Sequence, residues 1–202
     1  MSGKMDKKPS KLAVLFPGIG YTCDKPLLYY GARAARECGY EVMPVSYGNF
    51  PPNVKGDPEK MRECFNLALE QTKIIFKDTD WSGREDILFI SKSIGTAVAL
   101  AFAQKKQIAA RHILFTPLEE TFLFPAGEAI AFHGTGDPWA ETTAVQKACE
   151  ERDIPLYITE NANHSLETGH LETDLRVLSE TMEKVAAFIR KCWFIGRDED
   201  VK

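Results

Sequence analysis

The chain has 202 residues, 44% apolar and 27% charged, a composition that suits one soluble globular domain with a substantial core. Its formal charge of −4, with no basic cluster interleaved with aromatics, gives no footing for a nucleic-acid or anionic-membrane partner. The five cysteines, Cys23, Cys38, Cys64, Cys149 and Cys192, are scattered with no Cys-x-x-Cys pair, so separate thiols in a reducing compartment are expected, without metal or cofactor. Residues 1–11 are polar and lysine-rich, unlike a signal peptide, and no apolar run approaches a membrane span in length. The expected location is the cytoplasm, with residues 1–11 and 194–202 as mobile ends.

In chain order, residues 12–16 (LAVLF) form a short continuous apolar run, the signature of a strand buried on both faces. Pro17-Gly18-Ile19-Gly20 ends it. A helical pattern covers residues 25–38, with Leu27, Leu28, Tyr30, Ala34 and Ala35 on the inner face, and Gly39 stops it. Residues 40–47 (YEVMPVSY) read as a second strand, which Pro44 demotes toward a sheet edge. After a loop rich in Gly, Pro and Asn, Asp57-Pro58 opens a long helix to about residue 77, its apolar stripe marked by Met61, Phe65, Leu69 and Ile75.

Residues 86–106 carry the most information. The apolar run Ile87-Leu88-Phe89-Ile90 stops at Ser91-Lys92-Ser93-Ile94-Gly95, and an Ala-rich helical pattern starts at once. A strand, a sharp turn with serine at its apex and a helix make a nucleophile elbow. Such a turn needs small residues two places either side of the apex, which Ser91 and Gly95 supply. Further strands fall at residues 112–115, 129–132 and 156–159, and helices at about 140–152 and 173–192. This alternation predicts a mostly parallel six-stranded sheet with helices on both faces. Only about a dozen residues join the fourth and fifth strands, too few for a lid.

In an open parallel sheet, ligands bind at the carboxyl ends of the strands, so catalytic groups should follow strands. Ser93 does. Asp137 follows the fifth strand in AIAFHGTGDPW, whereas Asp86 and Asp153 precede strands and Asp174 lies in the last helix. His164 follows the sixth strand in ENANHSLE. His112 precedes its strand and reads as a surface or packing residue, His133 as a support for the Asp137 loop, and His170 as part of a charged stretch. The order Ser93, Asp137, His164 is that of an α/β-hydrolase triad.

The segments FPGIGYT, FISKSIGT, FHGTGDPW and ENANHSLE together resemble the small, lidless α/β-hydrolases of dienelactone-hydrolase-like or esterase-like type. The resemblance spans residues 12–192. It departs from the family pattern at Pro17-Gly18, where His-Gly is common, and at Ser91, where Gly is usual. It implies nucleophilic acyl transfer on a small-molecule ester or thioester, with Ser93 as nucleophile, His164 as base and Asp137 orienting the imidazole. The Ile94 N–H would supply one oxyanion donor, and Ile19 the second, with Gly20 or Tyr21 as alternatives.

Among neighbouring residues, Lys92 reads as pointing to solvent or supporting the elbow. Glu119 and Glu120 read as charges on an exposed turn. Tyr21, Tyr47, Phe50, Leu118 and Trp139 stand on strand-end loops and are candidates to line an acyl pocket. The competing reading is a non-enzymatic relative or a flavodoxin-like nucleotide-binding domain using Gly18-x-Gly20. That pair continues neither as a dinucleotide fingerprint nor as a P-loop.

Overall fold

The computed structural model describes residues 10–195, with side chains described through residue 191. Of the ends expected to be mobile, residues 1–9 and 196–202 lie outside the described residues, as does the side chain of Cys192, whereas Lys11 begins the first strand and residues 194–195 end the last helix. Twelve elements alternate along the chain: β1 (Lys11–Phe16), α1 (Pro26–Glu37), β2 (Glu41–Pro44), α2 (Pro58–Ile75), β3 (Asp86–Lys92) and α3 (Ile94–Lys106) come first. Then follow β4 (Arg111–Phe115), a 3-10 helix (Glu119–Leu123), β5 (Ala129–Gly134), α4 (Thr142–Glu150), β6 (Leu156–Thr159) and α5 (Leu171–Ile195). The six strands form one sheet in the order β2-β1-β3-β4-β5-β6, and every pairing is parallel.

The strand side chains divide by the twofold repeat of a strand. Ala13, Leu15, Leu88, Ile90, Ile113 and Phe115 face α1 and α5. Leu12, Val14, Phe16, Ile87 and Phe89 face α2 and α3. Covering both faces explains why the inner strands are continuously apolar; full burial of each large side chain contributes about 1.5–3 kcal/mol. Helix α3 is buried from Ile94 through Ala103, as its all-round apolar sequence requires. Asp57 caps α2 by accepting from the Glu59 and Lys60 N–H groups, both at 3.1 Å.

Several residues depart from the sequence pattern. Strand β2 ends at Pro44, although the Val45 N–H still donates to the Leu15 carbonyl at 2.9 Å; β2 lies at the sheet edge, where the missing Pro44 N–H has no strand to serve. Tyr30 and Ile75 are turned outward, at 41% and 43% exposure. Of the two readings of His112, surface or packing, packing holds, although the residue does not precede its strand. It lies within β4, 2% exposed, edge-on to Phe89 at 5.4 Å. The neighbouring Arg111 ties three segments together: it donates to Asp86 at 2.7 Å, to the Tyr40 hydroxyl at 2.7 Å and to the Phe188 carbonyl at 2.8 Å. Tyr40 also donates to Asp86. No helix among the described residues is long and apolar enough to cross a membrane.

The chain leaves β1 toward β2 on one side and, later, toward β3 on the other. The carboxyl ends of β1 and β3 therefore flank the crevice where strand order reverses. The loop after β1 and the turn after β3 meet there.

Candidate active site

The turn after β3 places Ser93 in a conformation that side chains seldom adopt, with φ 56° and ψ −129°. Its surroundings hold it there. The Ser93 N–H donates to the Phe115 carbonyl at 3.0 Å, and Thr96 donates to the Ser93 carbonyl from its N–H at 2.9 Å and its hydroxyl at 2.6 Å. A Cβ at Gly95 would overlap the Phe16 and Pro17 carbonyls, so only glycine lets α3 start this close to the end of β1. Ser91 is fully buried, and its hydroxyl donates to the Ile113 carbonyl at 3.1 Å. The serine in place of the usual glycine is thus accommodated inside the sheet.

Two further strand ends bring their loops to Ser93. β5 ends at Gly134, whose approach to the Ala162 carbonyl leaves no room for a Cβ. Gly136 N–H donates to that same carbonyl at 2.9 Å, locking the Asp137 loop to the loop after β6. In the latter, the Asn163 side chain accepts from Ser165 and Glu167 N–H groups, and Thr116 donates to the His164 carbonyl at 3.1 Å. Ser93 Oγ lies 2.8 Å from His164 Nε2, and His164 Nδ1 lies 2.7 Å from Asp137 Oδ2. The other Asp137 oxygen accepts from the Trp139 N–H at 2.9 Å.

The electrostatics follow from burial. Burial tends to raise the Asp137 carboxyl. The hydrogen bonds from His164 and the Trp139 N–H, with the nearby imidazoles, outweigh it and hold the group below the ordinary carboxylate range. Burial pushes the His164 imidazole below its ordinary value, against the pull of Asp137, and the charge of Lys92 adds to the downward push. The Trp139 ring stacks on His164, with centroids 5.6 Å apart. His133 Nε2 pairs with the Thr142 hydroxyl at 3.1 Å, and its Nδ1 stands 4.0 Å from Asp137. Both Asp137 and His133 side chains have no exposed surface.

Lys92 does not point to solvent. As the last residue of β3 it shares the strand's burial: it is 0% exposed, and its Nζ lies 5.0 Å over the Tyr21 ring with no hydrogen-bond partner. Desolvation brings its ammonium down to about 7, while the charge of Asp137 opposes that fall. Nothing in the sequence pattern marks this; the only signal is its position at the end of a doubly buried strand.

The loop after β1 is closed by reciprocal Gly18–Tyr21 backbone bonds of 3.1 and 3.4 Å, with Ile19 and Gly20 at its tip. The second of these bonds uses the Tyr21 N–H. Ile94, first residue of α3, has an N–H with no intrahelical acceptor, at the positive end of the helix dipole.

The five candidate pocket residues separate. Leu118 packs with Ile94, Val54 and Cys64, and Trp139, Phe50 and Ile19 pack against that cluster. Tyr47 and Phe50 flank the loop after β1 across a cleft that also includes Gly18 and Gly20. Tyr21 is committed to packing: its hydroxyl accepts from the Leu27 N–H at 3.1 Å, and burial raises its phenol to about 12. Glu119 and Glu120 are exposed on the 3-10 helix, and the carboxylate bonded to His164 is Asp137. A larger cavity of about 630 Å³ opens at the opposite edge of the sheet, around Gly127–Ile130 and the end of α5, remote from these groups. Among the described residues no group of three His, Cys, Asp or Glu side chains is placed to hold a metal ion.

No protein-family model matches the chain, and no curated protein matches it in sequence. Solved structures match in fold. An α/β serine hydrolase homologue from Coxiella burnetii aligns with a TM-score of 0.64 at 17% identity, covering 91% of this chain and 86% of the other. An esterase from Pyrococcus furiosus gives 0.64 at 15% identity, covering 91% and 84%. An α/β serine hydrolase without a lid from Xanthomonas campestris gives 0.57 at 17% identity, covering 94% and 85%. At these identities the likeness is one of fold, and the fold is that of the small lidless α/β-hydrolases.

Proposed function

We propose that the chain is a serine hydrolase that cleaves a small or accessible carboxylic ester or thioester through an acyl-enzyme on Ser93. The observation that carries this reading is the unbroken line from Ser93 Oγ to His164 to Asp137, at 2.8 and 2.7 Å, with the serine on a strained turn. Such a line supports nucleophilic catalysis because a neutral imidazole takes the hydroxyl proton as the oxygen attacks.

In the first half-reaction, Ser93 Oγ bonds to the acyl carbon and its proton moves to His164 Nε2. The carbon–oxygen or carbon–sulfur bond to the leaving group then breaks, and the same proton passes to the leaving atom. Water repeats the sequence on the acyl-enzyme: it loses a proton to His164, frees the acid, and the proton returns to Ser93. Asp137 accepts the Nδ1–H, which fixes the tautomer and favours the imidazolium. The Ile94 and Ile19 N–H groups are the donors we assign to the tetrahedral oxyanion, the first aided by the α3 dipole.

Hydrolysis of p-nitrophenyl butanoate by the wild type, with at least a thousandfold loss in Ser93→Ala, is the expected outcome. Equal rates for the two proteins would reject the assignment.

A further inference from the structure

An apolar groove opens between α2, α3 and the 3-10 helix, and Ile94, the residue after Ser93, forms part of its wall. It encloses about 400 Å³ and is lined by Met61 and Phe65 of α2, Ile94 and Ala97 of α3, and Leu118 and Phe124 about the 3-10 helix. All three segments belong to the same edge of the sheet as Ser93: the first half of α2, the first turn of α3 and the chain following β4.

The groove and the proposed catalytic groups are linked through Ile94 and Leu118. Ile94 follows Ser93 directly, and its side chain is in one buried cluster with Leu118, against which Met61, Phe65 and Trp139 pack. Trp139 in turn stacks on His164. The charged side chains of the groove, Arg62 and Glu120, are both exposed and stand at its rim. Its interior therefore suits hydrocarbon and offers little to a charged or hydrogen-bonding chain.

The reaction geometry decides which half of an ester would lie there. The leaving group must reach His164 Nε2, which protonates it, while the carbonyl oxygen turns toward the Ile94 N–H. The remaining substituent of the carbonyl carbon is the acyl chain, and the groove walled by Ile94 and Leu118 is an apolar surface adjoining Ser93 that can receive it.

We infer that the groove binds the acyl chain, and that the substrates are esters or thioesters of linear, apolar acids several carbons long. This inference rests on the serine-hydrolase reading and narrows it.

The test is a series of p-nitrophenyl esters, acetate, butanoate, hexanoate and octanoate, hydrolysed by the wild type, Met61→Trp and Asn66→Trp. Asn66 is an exposed groove residue of α2, where a large side chain leaves the core untouched. In the wild type, kcat/KM should rise by about fourfold for each methylene taken from water, until the groove is filled. In at least one tryptophan variant, the octanoate-to-acetate ratio should fall by about tenfold or more. A wild type that hydrolyses acetate with a flat chain-length profile overturns the groove assignment and leaves the hydrolase reading standing. A rise that survives unchanged in both folded variants also overturns it. A wild type that hydrolyses none of the esters and resists fluorophosphonate labelling overturns both readings together.

Discussion

The Nδ1 of His164 lies 2.7 Å from Oδ2 of Asp137, whose side chain has no exposed surface. A carboxylate so placed accepts the Nδ1–H and leaves Nε2 free to take a proton from Ser93. Asp137→Asn keeps the size of the side chain and removes its charge. We expect kcat on p-nitrophenyl butanoate to fall by about 10³–10⁴-fold, with KM changed by less than about fivefold. A large rise in KM at intact kcat would mean that Asp137 serves binding, not the imidazole.

Burial lowers the His164 imidazole, and a base is useful only while unprotonated. The acid limb of kcat/KM should therefore have its midpoint below 6.5, the ordinary histidine value. The charge of Lys92 contributes to that lowering. In Lys92→Met the limb should move to higher pH, so that the ratio of rates at pH 5.5 and pH 8 drops by about threefold or more. An unmoved limb would show that Lys92 has no electrostatic hold on His164.

The same substitution predicts a stability effect with a defined window. The folded-state value of Lys92 is about 7, against 10.5 for an ordinary lysine. Between these values the unfolded chain binds more protons, so wild-type stability rises with pH. Lys92→Met escapes this cost. Its advantage in denaturation should be largest at pH 7 and below, on the order of several kcal/mol, and should shrink toward pH 10.5. A constant difference across that range would exclude a buried, titrating amine.

His112 gives the acid counterpart. Burial brings its imidazole down to about 3 from 6.5. Above pH 6.5 it is neutral in both states and costs nothing. As pH falls toward 3, only the unfolded chain takes the proton, and stability is lost. His112→Leu should flatten this loss: its Tm relative to wild type should rise as pH drops from 7 to 4. A relative Tm that stays constant would count against the assignment.

Much of the fold could be read from the chain because the inner strands are short, continuous apolar runs. Such runs occur where both faces of a sheet are covered, and β1 and β3 lie where LAVLF and ILFI predict. The alternating pattern of residues 40–47 overruns β2, because Val45 and Tyr47 are apolar for their packing on the α2–α3 side and not for a place in the strand. Ser93, Asp137 and His164 could be singled out because each follows a strand. Their separations depend on contacts that no spacing encodes, such as Gly134 against the Ala162 carbonyl. Lys92 was hidden because charge ordinarily signals exposure, and here the strand overrides it. The groove was hidden for another reason: residues 61–65, 94–97 and 118–124 become neighbours only through the crossovers.

The substituted elbow position offers its own check. The Ser91 hydroxyl donates to the Ile113 carbonyl inside the sheet. Ser91→Gly loses that bond and adds backbone freedom, so it should lower stability by about 1–2 kcal/mol in urea denaturation. A gain in stability would mean that the turn is strained by the serine.

In the proposed mechanism everything rests on Ser93 being an activated nucleophile. Fluorophosphonate labelling, followed by mass spectrometry of the modified peptide, tests it without any assumption about substrate. One adduct, on Ser93, is expected in the wild type, and none in Ser93→Ala. A wild type that stays unlabelled from pH 6 to 9, or an adduct that persists in Ser93→Ala, would contradict it.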